Sequence, residues 1–259
     1  MTTPTCRGIA LLLLAAVLAS APSLFAGDKA PAENAFPPFK RGELIPADLG
    51  PRQATPDIPF PGGATARSIP KGRAVLAVLV DADARPVDFL VIAASDIVFG
   101  QALLDHGPNL TFAAAKLHGV AIPARYTLGY KFEADGMNMN VMDQAYTLPA
   151  KIAGGKFAYA AHPEKELDHE LEVTRMALPE VPAGYTAPAG KEVAVLVTFF
   201  VDESGRVRIP NVDSAADPVL VPGAIAAVSR WTFKPATIKG KPALAYAARI
   251  VRFMPPETR

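Results

Sequence analysis

Val193-Ala194-Val195-Leu196-Val197-Thr198-Phe199-Phe200-Val201, then Asp202-Glu203-Ser204-Gly205, then Arg206-Val207-Arg208-Ile209: the fold class is decided in this stretch. Residues 193–201 are almost all β-branched or aromatic, as expected of a strand buried on at least one face. Glu203-Ser204-Gly205 closes a tight hairpin, where Gly205 suits a left-handed backbone because it has no Cβ. In the next strand, Arg206 to Val212, Val207 and Ile209 are expected to face one way and Arg206 and Arg208 the other. A helix should begin between Asp217 and Pro222, since proline fits a first turn, and end near Ser229. Its Ala224, Ile225 and Val228 recur at helical spacing and should face the sheet. Gly240-Lys241-Pro242 turns the chain into a last strand, Leu244 to Phe253. Strand, strand, helix, strand is an α+β order: an antiparallel sheet with one helix packed on it.

The amino-terminal half carries a degraded version of the same text. A shift of 121 positions brings Asp81 onto Asp202, Arg85 onto Arg206, Phe112 onto Phe233, Gly119 onto Gly240 and Phe132 onto Phe253. Upstream, with a shift of two residues, Arg52 to Pro59 reads against Arg175 to Pro182. A unit of this length exceeds the roughly 20–50 residues of a solenoid repeat and approaches the size of a self-sufficient core. The expectation is two small α+β domains, residues 52–132 and 175–259, joined by a connecting segment, 133–174. In the first copy Leu76 to Asp81 and Val87 to Ile92 are the hairpin strands, Asp96 to His106 the helix, and Tyr126 to Phe132 the last strand. Ala84 stands where the second copy has Gly205, so this turn must differ or carry strain.

A family resemblance rests on the second copy. Val201-Asp202-Glu203-Ser204-Gly205-Arg206-Val207, then Trp231-Thr232-Phe233-Lys234-Pro235-Ala236, then Gly240-Lys241-Pro242, resembles the TonB carboxy-terminal domain. Pro179-Glu180-Val181-Pro182 is similar to the proline box that opens that domain, and the likeness covers about 80 residues. Asp202, Gly205, Trp231, Phe233, Pro235 and Gly240 carry the motif. In the first copy Leu110 replaces Trp231 and Ala114 replaces Pro235, which marks it as a degenerate member. The resemblance implies a periplasmic domain that takes a segment of an outer-membrane transporter as an added strand, in support of energy-dependent transport. An edge strand suits that role because its unpaired amides and carbonyls bind a peptide backbone with little demand on sequence. The expected partner-binding edge is the last strand, with Tyr246, Ala248, Arg249, Val251 and Arg252. Proline at Tyr246 or Ala248 should remove an outward amide at only one of the two. Arg249 and Arg252 are expected to pair with acidic side chains of the partner. The alternative is a periplasmic scaffold that holds another protein without energy coupling; dimerisation is left open by either reading.

The first residues read as an export signal. Arg7 precedes an apolar run, Ile9 to Ala21, and Ser23-Leu24-Phe25-Ala26 offers a cleavage site before Gly27. The run is shorter than the roughly 20 residues needed to span a bilayer. Residues 1–26 are therefore expected to be a signal peptide, and 27–51 a proline-containing linker. An uncleaved inner-membrane anchor is the alternative. The single cysteine, Cys6, lies within this leader, so the exported chain must be held by its core rather than by disulfides. An apolar content of 50% allows that, and loss of Arg7 leaves 25 basic against 25 acidic residues. Such a balance argues against a nucleic-acid partner.

Chemistry finds no motif. Neither a nucleophile elbow nor a phosphate-binding glycine loop is present, and no catalytic residue or cofactor is expected. His162, His169, Glu164, Glu166, Asp168 and Glu170 could be drawn as a metal site, but spacing of this kind describes a solvated charged face. Met137, Met139 and Met142 could suggest a soft copper site; without a histidine or cysteine nearby they read as apolar padding.

Overall fold

Alternation along the long strands sorts their side chains into two cores. The computed structural model describes residues 43–49, 57–134, 139–140, 157–186, 193–215 and 217–253. In the first half, β1 (Lys71–Val80) lies between β2 (Pro86–Ala94) and β3 (Ala124–Glu133), antiparallel to both. Helix α1 (Ile97–His106) starts at Asp96, whose carboxylate accepts the Val98 amide at 3.1 Å, and it buries Phe99 and Leu103. Further along come β4 (Met139–Asn140), β5 (Tyr159–Ala160), β6 (His162–Pro163) and β7 (Val173–Arg175). The second half is built from β8 (Val193–Val201), β9 (Val207–Ala215), α2 (Val221–Val228), β10 (Thr232–Phe233) and β11 (Ala245–Phe253). A 3-10 turn, Pro218–Leu220, leads into α2 and is capped by the Asp217 carboxylate. The protein is thus α+β, with strands in the order β5-β2-β1-β3-β4 in a five-stranded sheet and β6-β11-β8-β9 in a four-stranded one.

Each sheet buries one face under its helix. Leu76, Val78 and Val80 of β1 share a core with Phe99 and Leu103, and Val195, Val197 and Phe199 of β8 share one with Ala224, Ile225 and Val228. The opposite faces meet one another: Val75, Ala77, Leu79, Leu90 and Ile92 form a single cluster with Phe200, Ile209 and Leu244. The layers therefore run helix, sheet, sheet, helix, and the halves share an interior. They are not the two separately cored units that the repeat suggested.

One strand of the second half crosses the first sheet. Leu79 stands between Asp88 on β2 and Arg125 on β3. On β9, Arg208 reaches Asp88 while Asn211 accepts the Arg125 amide at 2.9 Å. Four residues of β9, 208–211, thus span three strands, so β9 runs across that sheet rather than along it. Arg208 grips the Asp88 carboxylate through Nη2 and Nε at 2.6 and 2.7 Å and also donates to the Phe89 carbonyl at 2.9 Å.

A bulge makes this crossing. Phe200 pairs with Arg208 and Thr198 with Asn211, so β9 has one residue too many for its partner. Ile209 takes φ +47° there, next to Pro210, which has no amide to offer the ladder. The extra residue turns Ile209 into the core between the sheets, while Val207 stays in the helix-side core. Strict alternation had placed Val207 and Ile209 on one face; the bulge separates them.

Both hairpin turns share one geometry. Asp81 accepts the Asp83 and Arg85 amides at 2.9 and 2.8 Å, and Asp202 accepts those of Ser204 and Arg206 at 3.0 and 2.9 Å. Ala84 takes φ +64° where Gly205 takes +83°. The first turn tolerates the left-handed strain instead of changing type.

Candidate functional site

Strand β11 pairs with β8 along its whole length, from Val193 opposite Phe253 to Val201 opposite Ala245. Ala245, Ala247, Val251 and Phe253 are buried in the helix-side core. The opposite backbone direction is read from one bond: the His162 amide donates to the Leu244 carbonyl at 2.9 Å. Leu244 therefore turns its peptide groups away from β8, and the two-residue repeat turns Tyr246, Ala248, Ile250 and Arg252 the same way.

Four expectations about this edge need correction. The strand is not outermost throughout, because β6 lies parallel to its first two residues, His162 against Ala245 and Pro163 against Tyr246. Past Pro163 no further strand pairs with that side of β11 among the described residues. Tyr246 and Ala248 both face outward, since residues two apart in a strand must agree. Val251 is a core residue, 2% exposed, with its backbone toward β8. Arg249 is already engaged: its side chain is only 14% exposed and its Nη2 and Nη1 hold the two Glu164 oxygens at 2.7 and 2.8 Å. The same Nη1 donates to the Ala248 carbonyl at 2.8 Å. Arg252 is exposed.

Glu164 was readable only as part of a charged run. Burial pushes its carboxyl up, but the Arg249 guanidinium and the Leu171 amide outweigh burial and hold it below the usual range. The neighbouring charges also have structural work. His162 Nδ1 meets Glu166 at 3.2 Å, and Asp168 accepts the Lys239 and Gly240 amides, both at 2.8 Å. Asp168 thereby orders the turn in which Gly240 takes φ +73°. Among the described residues no cluster of histidines and acids is arranged to hold a metal. Met137 and Met142 lie outside the described residues, as do Ala26 and Gly27; Met139 is described only as backbone in β4.

The remaining motif residues frame the strand from behind. Trp231 is buried edge-on against Phe199, with ring centroids 6.2 Å apart, and its indole N–H donates to the Ala177 carbonyl at 2.8 Å. That bond fastens the segment leading into Pro179-Glu180-Val181-Pro182. Phe233 stacks at 5.6 Å on Phe199, and its amide donates to the Gly205 carbonyl at 2.7 Å. A Cβ on Gly205 would stand 2.1 Å from the Phe233 carbonyl oxygen. Pro235 is exposed. Asp202 sits at the hairpin, where burial raises its carboxyl but the Ser204 hydroxyl and two turn amides together lower it further. No helix among the described residues is long and apolar enough to cross a membrane.

No family model matches this chain. No curated protein matches it either. Among solved structures, the solution NMR structure of the Pseudomonas aeruginosa TonB CTD is similar at 26% identity over 36% of this chain and 93% of that one, with a TM-score of 0.29.

Proposed function

We propose that this chain binds an extended segment of another envelope protein, an outer-membrane transporter, by adding it as a strand to the outward edge of β11. The observation that carries this reading is the outward backbone of Ala248 and Ile250, which no strand covers among the described residues. It is supported by the order of the Asp-Gly turn, the Trp231–Ala236 box and the last strand, which resembles a domain built for that task. Backbone pairing supplies affinity with little demand on the partner's sequence. The function is binding rather than catalysis.

The export reading of residues 1–26 supports a periplasmic location. We further propose that the chain is a fused pair in which only the second copy receives a strand. In the first copy the corresponding β3 edge is engaged at both ends: Asn211 holds the Arg125 amide, and β4 pairs with Tyr130 and Lys131. The shared core between the halves also favours the second reading, a scaffold without energy coupling, because it ties the one receptor edge to the first half.

The test uses a fluorescein-labelled Thr-Val repeat peptide flanked by asparagines, read by anisotropy. Saturable binding at one peptide per chain, lost in Ala248→Pro while circular dichroism is unchanged, supports strand addition. Equal binding by the parent and the folded Ala248→Pro and Ile250→Pro variants would show that the partner docks elsewhere. Carbonate extraction of cells then separates a cleaved periplasmic protein from an anchored one.

A further inference from the structure

We propose that Glu164 and Arg249 form a latch that keeps the edge of β11 closed until an incoming strand displaces it. The proposal rests on the strand-addition reading above. A strand added beside Ala248 must donate an amide to the Ala248 carbonyl. That carbonyl already receives Arg249 Nη1 at 2.8 Å, from a guanidinium that lies over its own strand. The guanidinium is held there by both oxygens of Glu164 at 2.7 and 2.8 Å. Glu164 is in turn fixed by the Leu171 amide at 3.2 Å and follows directly on β6, which fills the neighbouring part of the same edge. Bidentate, charge-assisted contacts in a partly desolvated setting are among the stronger polar interactions. A charged side chain folded over an edge also prevents sheet-to-sheet association in the absence of a partner.

The chain thus carries its own competitor. Residues 162–166 occupy the start of the edge by strand pairing and its middle through Arg249. Arg249 does not recruit the partner's acids; it guards the position where the partner binds. An entering segment must replace one guanidinium bond with a backbone amide, which penalises short or weakly pairing segments and selects those that engage several outward groups together.

Two variants test the latch, Glu164→Gln and Arg249→Gln, each checked for folding by circular dichroism. Both should bind the neutral Thr-Val repeat peptide about tenfold more tightly than the parent, the scale of losing one charge-assisted bond. Without peptide, Glu164→Gln should speed hydrogen exchange at the His162 amide, which bonds the edge, and leave the Val197 amide in mid-sheet unchanged. If the parent binds and Ala248→Pro abolishes binding, yet neither latch variant binds more tightly, the latch is wrong and strand addition stands. Unchanged exchange at His162 also overturns the latch. If neither the parent nor either variant binds the peptide, strand addition falls and the latch falls with it.

Discussion

Gly205 and Ala84 occupy the same turn at different cost. Both backbones are left-handed, a conformation that costs a residue with a Cβ on the order of 1 kcal/mol. Only at Gly205 would a Cβ also meet a carbonyl oxygen. Gly205→Ala should therefore destabilise by at least about 2–3 kcal/mol. Ala84→Gly should change stability by less than about 1 kcal/mol, since relief of strain opposes the gain in unfolded-chain entropy. Urea titrations of the two variants check both values. Trp231 has the larger stake in its core. Trp231→Ala should cost about 3–5 kcal/mol and leave the Ala177 carbonyl without its indole donor, while Leu110→Ala should cost less. Similar small losses at the two positions would show that Trp231 does not bear on its core as its burial implies.

At the scale of the strand, proline separates the two faces of β11. Ala248→Pro and Ile250→Pro remove amides that point away from β8, whereas Ala247→Pro removes one that β8 uses. The first two should retain the parent's circular dichroism spectrum and the third should lose several degrees of melting temperature. The latch has its own pH dependence. Glu164 is held below its ordinary value of 4.5, so its contribution is complete above that value and is lost as pH falls through the lower folded value. Exchange at the His162 amide, corrected for its intrinsic rate, should stay level from neutral pH to about 5 and rise only below 4.5. A rise near neutral pH would show that Glu164 does not control the opening. The hairpins, the helix after Asp217 and the last strand were legible because each follows from a local rule of turn residues or side-chain spacing. The bulge at Ile209 was not: β9 looks regular residue by residue, and only its partner strand reveals the extra one.

For the molecule as a whole, the shared core between the sheets predicts mutual dependence of the halves. A fragment ending before β8 would expose Val75, Ala77, Leu79, Leu90 and Ile92 together, and apolar surface of that kind drives association. Residues 57–134 expressed alone should self-associate in gel filtration and bind a hydrophobic dye, whereas the whole chain should unfold in one urea transition. A monomeric, dye-negative fragment would mean that the interior between the sheets is dispensable. Asp88→Ala should destabilise the intact chain more than Arg85→Ala, because it strands Arg208 at the crossing, while Arg85 is largely exposed beside its hairpin.

The sequence alone determined what depends on near neighbours. It placed the strands, the Asp-Gly turn, the helix start, the repeat of these elements and the resemblance carried by Trp231 to Ala236. Tertiary structure alone decided how the halves meet and what the edge presents. Arg208 and Asp88 are 120 positions apart and Glu164 and Arg249 are 85 apart. No periodicity or composition relates residues at such separations, because only the folded chain brings them within bonding distance. Glu164 therefore read as one carboxylate in a solvated run, and Arg249 as a cation for a partner, until the crossing sheets and the returning connector set them against each other.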